Sequence, residues 1–140
     1  DPNQDFKIGK GIKLIDGDDV TIVATGHLVW EAIEACNQLK KEGISAELIN
    51  IHTIKPLDEK IILKSIVKTK CIVSAEEHNI IGGLGESISS ILVRNNLVPM
   101  EFVGVEDSFG ESGTPTQLMK KYGLSSEKIM EKCKKVILRK

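Results

Sequence analysis

The 140-residue chain has three histidines, His27, His52 and His78, and each stands just after an apolar run of strand character: residues 20–25, 46–51 and 71–75. In an open parallel sheet, ligands bind beyond the carboxyl ends of the strands. Thr25, Gly26, His27, His52, Glu76 and His78 are therefore the first candidates for a binding edge. Glu76 and His78 share a face if their strand stays extended through them, which makes half of a divalent metal site. Strand-end loops are polar whatever a protein does, however, and the same three histidines fit an ordinary polar rim, so no metal is expected. Glu76 and Glu77 are adjacent, so an extended backbone sends them to opposite faces and they cannot act as a paired acid and base. Capping, or contact with another domain, suits them better.

Gly82-Gly83-Leu84-Gly85 precedes a helix-like segment and invites comparison with a phosphate cradle, in which glycines let backbone amides approach an anion. The spacing fits neither G-x-G-x-x-G nor a P-loop, and Glu86 stands where an anion would sit. A tight turn that lets the helix pack closely is the expected role. Thr25, Gly26, His52, Glu76, His78, Gly82 and Gly83 remain as an accessory anion or domain-contact site, with no catalytic, cofactor-binding or metal-binding residue assigned. No G-x-S-x-G or C-x-x-C occurs, and Cys36, Cys71 and Cys133 are far apart in sequence, which argues against a disulfide framework. Phe109-Gly110-Glu111-Ser112-Gly113 reads either as a docking loop or as a link to the next helix.

These groups need a scaffold, and its class is legible. Apolar residues make up 41% of the chain, while aromatic residues make up only 4%, a balance suited to strands buried on both faces of a parallel sheet. The spacing predicts strands at 11–15 and 20–25, joined by the hairpin-type turn Asp16-Gly17-Asp18-Asp19, so one edge strand should run antiparallel. A helix follows over 27–42, with Val29, Ala32, Ile33, Cys36 and Leu39 on one face and Gly43 as its stop. Beyond it come a strand at 46–51 and a helix capped by Asp58 that carries Ile62, Leu63, Ile66 and Val67. A strand at 71–75, a helix to about Asn95 and a strand at 101–105 continue the alternation. Thr114-Pro115-Thr116-Gln117 reads as a capping box, and Ser125 or Ser126 starts a last helix with Ile129, Cys133, Val136 and Ile137 inside. Its basic residues should face solvent or the helix C-terminus. The expected architecture is a three-layer α/β/α domain with a mostly parallel sheet of about five strands.

With a net charge of -1, nothing draws the chain as a whole to nucleic acid or membrane. No run approaches the length of a membrane span and no secretory signal opens the chain, so a cytoplasmic protein is expected. One domain fills the length.

Four strings in order then resemble the C-terminal domain of the transketolase family: Asp19-Val20-Thr21-Ile22-Val23-Ala24-Thr25-Gly26; Asn50-Ile51-His52-Thr53-Ile54-Lys55-Pro56-Leu57-Asp58; Ala75-Glu76-Glu77-His78 with Gly82-Gly83-Leu84-Gly85; and Phe109-Gly110-Glu111-Ser112-Gly113. The resemblance runs from Ile8 to about Lys135. It implies that residues 1–140 are one domain of a longer enzyme that moves a two-carbon ketol unit between sugar phosphates. It also implies that thiamine diphosphate and Mg2+ belong to preceding pyrophosphate- and pyrimidine-binding domains, that the full enzyme is a homodimer, and that this part is structural and inactive alone. The second and third strings are closest to a transketolase, especially one whose C-terminal half is a separate polypeptide. The C-terminal domains of deoxyxylulose phosphate synthase and of 2-oxo acid dehydrogenase E1 β subunits share parts of the pattern. His27 departs from the family string, so the three histidines are not carried over as a shared site. A stand-alone module that binds a small anion at the strand edge is the reading from another class.

Overall fold

A computed structural model describes residues 9–79, 82–105, 117 and 123–140, with the side chains of 78 and 79 excepted. The loop at 109–113 and the capping box at 114–116 lie outside the described residues. Five strands are present, β1 (Ile12–Ile15), β2 (Val20–Ala24), β3 (Ala46–Asn50), β4 (Ile72–Asn79) and β5 (Met100–Val105), in the order β1-β3-β2-β4-β5. All neighbouring pairs are parallel except β1 with β3. The helices α1 (Leu28–Lys41) and α4 (Ser126–Ile137) cover one face, and α2 (Glu59–Thr69) and α3 (Leu84–Arg94) cover the other. The three-layer fold with one antiparallel edge strand agrees with the expectation from sequence.

The antiparallel strand arises differently from the expected hairpin. β1 pairs with β3, not with its sequence neighbour β2, because the turn after it passes over the start of β3 and places β2 on the far side. Asp19 N donates to Ser45 O at 2.8 Å, Ser45 N donates back to Asp19 Oδ2 at 2.7 Å, and Asp18 N reaches Ser45 Oγ at 3.1 Å. At Gly17 any Cβ would strike the Ala46 carbonyl carbon and the Glu47 nitrogen, so this glycine is what lets the two backbones cross.

Alternation along the central strands divides the core in two. Val20, Ile22 and Ala24 of β2 and Val73 and Ala75 of β4 pack under α1 and α4, against Leu28, Ala32, Leu39, Ile129 and Cys133. Val23 and Ile72 pack under α2 and α3, against Ile62, Ile66, Ile88 and Ile91. On α2 the expected apolar face is rotated: Val67 is 66% exposed, while Ser65 and Thr69 are buried. The cause is Thr21 on β2, whose hydroxyl lies 2.6 Å from both Ser65 Oγ and Thr69 Oγ1. Ser65 Oγ also donates to the buried Glu47 Oε2 at 2.6 Å, and Lys68 Nζ reaches Glu47 Oε1 at 2.6 Å. A satisfied polar network thus holds a helix face that periodicity assigns to apolar residues.

Helix boundaries follow local chemistry. Asp58 caps α2 by accepting from Ile61 N, and its second oxygen takes Gly11 N at 2.8 Å, which ties the entry to β1 onto the helix start. Ser125 caps α4 through Lys128 N. Lys134, Lys135, Arg139 and Lys140 are exposed as expected, while Lys132, Lys135 and Arg139 also converge on Glu101 of β5 and Lys134 pairs with Glu42.

Candidate functional site

The strand order puts the carboxyl ends of β3, β2 and β4 side by side. Ile51 N donates to Ala24 O at 2.9 Å and Thr25 N to Ala75 O at 3.1 Å. Thr25 and Gly26 therefore lie between Ile51-His52 on one side and Glu76-Glu77 on the other. Gly26 turns the chain at φ +62°, a left-handed conformation that glycine adopts without cost, and exposed His27 stands at the N-cap of α1. The sheet thus gathers Thr25, Gly26, His52 and Glu76 to one edge. His78 lies on β4, with its side chain outside the described residues.

β4 extends well past Ala75, through Asn79. Ala75 pairs with Val103 but Asn79 pairs with Val105, so β4 bulges across Glu76–His78. Glu76 points to the α3 side and is fully buried, accepting from Leu84 N at 2.9 Å on Oε1 and from Gly85 N at 2.8 Å on Oε2. Two orphan amides at the start of α3 are thereby satisfied by a carboxylate from the sheet, placed where the helix dipole favours negative charge. The carboxylate at this helix start is Glu76, in place of the expected Glu86, which accepts instead from Gly82 N.

The glycines serve close approach. A Cβ on Gly85 would lie 2.5 Å from Phe102 Cδ1 and 3.0 Å from Ser74 Oγ, so only glycine lets the first turn of α3 settle on β4 and β5. Gly83 is buried and Gly82 exposed with φ +79°.

Glu77 takes the opposite face. A Cβ on Gly26 would collide with its Oε1, and its Oε2 is buried with no hydrogen-bond partner. The geometry thus separates neighbouring carboxylates into an internal cap and a group packed beside the β2–α1 turn. Sequence reasoning passed over Trp30, in the first turn of α1 and 74% exposed. Its signal was present: it falls off the apolar spacing of Val29, Ala32, Ile33 and Cys36.

Among the described residues, no group of three His, Cys, Asp or Glu side chains is placed to hold a metal ion. The cysteines offer no nucleophile, because burial pushes the Cys36 thiol up to about 12 and raises those of Cys71 and Cys133 as well. Among the described residues no helix is long and apolar enough to cross a membrane.

The family described as transketolase, C-terminal domain, matches residues 9–129. A 6-deoxy-6-sulfo-D-fructose transketolase subunit of Clostridium sp. (strain MSTE9) is 44% identical over 138 residues, covering 99% of this chain and 43% of that protein. A Methanocaldococcus jannaschii protein named as a transketolase C-terminal section is 47% identical over 135 residues, covering 93% of this chain and 42% of its own length. A 1-deoxy-D-xylulose-5-phosphate synthase of Desulforudis audaxviator is 37% identical over 125 residues, covering 88% of this chain and 20% of that enzyme. Among solved structures, a split-gene transketolase in an inactive β4 tetramer superposes with a TM-score of 0.92 at 39% identity, covering 99% of this chain and 45% of that one. The chain spans less than half the length of these relatives.

Proposed function

Since the chain belongs to the transketolase C-terminal domain family, we propose that it is the C-terminal domain of a transketolase-type enzyme, in a subunit of the split kind. The whole enzyme transfers a two-carbon ketol unit between sugar phosphates. Carrying this reading is the 44% identity to a transketolase subunit across 99% of the chain. Identity to the deoxyxylulose phosphate synthase is lower, at 37%, which favours the transketolase branch.

In this reading thiamine diphosphate and Mg2+ are held by polypeptide outside these 140 residues. The described residues do not fit a diphosphate at the one glycine-rich helix start they offer. Glu76 fills it, and a second anion there would face a buried carboxylate at close range. The role left to this domain is architectural: it presents its strand edge and α1 start to other parts of the enzyme and contributes to subunit assembly.

Two measurements test the proposal. Calorimetric titration of the chain with thiamine diphosphate and Mg2+ should show no tight binding, and micromolar binding would overturn the assignment of the cofactor elsewhere. Co-expression with the natural preceding polypeptide should yield ketol transfer between sugar phosphates, an activity each part lacks alone.

A further inference from the structure

The two faces of the sheet are covered by helices, and its amino end is tied down: Lys140 Nζ donates to Asp19 O at 2.8 Å and to Thr69 O at 3.1 Å, and Ser45 is bonded across the Asp19 turn. The carboxyl end presents a different surface. Trp30 is 74% exposed there, and it is the chain's single tryptophan. Its backbone closes the first turn of α1 through Trp30 N to His27 O at 3.2 Å. Trp30 thus stands in the first turn of α1, just after exposed Gly26 and His27 at the strand edge. Glu77 packs beside the same turn with one buried carboxylate oxygen unpartnered. The next residue, Glu31, accepts from Ser126 N at 3.0 Å, which braces the start of α1 against the start of α4.

The topology says what meets this surface. β1 is antiparallel to β3, with Ile12 opposite Asn50, so the chain enters the sheet at the carboxyl edge. Gly11 is anchored to Asp58 there, and Gly9 lies against Pro56. Gly9 therefore lies at the same edge as Gly26 and Trp30, only one intervening strand, β3, separating β1 from β2. At about 4.8 Å per strand that is a span of roughly 10 Å.

Resting on the transketolase reading above, we propose that Trp30 is the anchor by which the preceding part of the enzyme docks on the carboxyl edge of this sheet. The complementary surface is an apolar recess that takes the indole. Tryptophan is enriched among the few residues that carry most of the energy at the centre of a contact.

The test uses the assembled native enzyme. Hydroxyl-radical footprinting read by mass spectrometry should find Trp30 oxidised about tenfold or more slowly than a free indole. Leu97 and Leu138, exposed here at 78% and 86%, should react at close to their free rates. A benzoyl-phenylalanine photoprobe at position 30 should crosslink to polypeptide outside residues 1–140. Free reactivity of Trp30 in an enzyme that performs ketol transfer overturns the docking proposal while leaving the functional reading intact. A crosslink to residues 1–140 of a second copy overturns it equally. Absence of ketol transfer by the assembled protein refutes the functional reading, and the docking proposal with it.

Discussion

Glu76→Ala is the substitution for which the structure gives the clearest energetic expectation. The wild-type carboxylate is fully buried and accepts from Leu84 N and Gly85 N at the start of α3. Alanine strands both amides, and each unsatisfied buried donor costs about 1–3 kcal/mol. The negative charge at the helix N-terminus is also lost, worth up to about 2 kcal/mol in a partly buried geometry. Water entering the space recovers part of this, so a net loss of about 3–4 kcal/mol is expected, or roughly 10 °C in Tm for a chain of this length. Glu76→Gln sharpens the argument. It preserves shape, but one of its two terminal groups becomes a donor that faces a donor, and the charge is gone, so it should cost about 2–3 kcal/mol. Glu76→Asp, one methylene shorter, cannot span from β4 to both amides and should fall between wild type and alanine. Urea unfolding followed by far-UV circular dichroism, at constant m, measures all three. If alanine and glutamine both fall within 1 kcal/mol of wild type, the carboxylate is not what holds the start of α3, and the account of the glycine-rich turn fails with it.

Other expectations follow from close contacts and charge. Gly17→Ala should destabilise more than Gly85→Ala, by at least about 1 kcal/mol in the same unfolding assay, because the first collides with backbone of Ala46 and Glu47 and the second with the movable ring of Phe102. Burial by itself pushes the Glu101 carboxyl upward, but Lys135, Arg139 and Lys132 outweigh it and hold the group below its ordinary value of 4.5. Glu47 is likewise penalised by burial and held low by Lys68, Ser65 and Gly17. A carboxylate depressed in the fold adds stability above its unfolded value and loses that contribution as pH falls through the folded one. Stability should therefore drop below about pH 4.5, and Glu101→Gln and Glu47→Gln should each flatten that acid limb in pH-dependent urea titrations; an unchanged limb in both would refute the assignment. The three buried thiols, pushed upward by burial, should resist Ellman's reagent at pH 8 in the native protein and all react in denaturant; rapid labelling of the native form would contradict the packing.

Much of the fold was legible because apolar periodicity tracked it. α1 was expected over 27–42 and runs Leu28–Lys41, and the caps at Asp58 and Ser125 stand where a side-chain oxygen precedes an amphipathic run. Departures occur where a polar group took an interior position. The face of α2 reads as Ile62, Leu63, Ile66 and Val67 until Thr21 is known to lie beneath it, and a hydroxyl on a neighbouring strand is invisible to the periodicity of a helix. The pairing of β1 with β3 was hidden for a related reason. Asp16-Gly17-Asp18-Asp19 has hairpin composition, but Gly17 serves a backbone crossing rather than a reversal, and only the tertiary position of Ala46 distinguishes the two.

The same distinction governs the candidate site. Glu76 and Glu77 are identical neighbours in sequence, and alternation alone says that they face opposite ways. It does not say which face holds a helix start with two open amides and which holds the turn into α1. Once the order β3-β2-β4 is established, the assignment is forced: the α3 side receives the carboxylate as its cap, and the other carboxylate lies beside Gly26. A strand ending in Ala75 looks complete because Glu76 is charged, yet β4 continues through it, and α3 supplies the donors that its buried carboxylate requires. A helix start that in other α/β proteins receives a phosphate is here closed by the chain itself, and the surface left open at the strand edge belongs to Trp30 and its surroundings. That division, with an anion position filled from within and an aromatic one left outward, is the arrangement that the proposed docking of Trp30 requires.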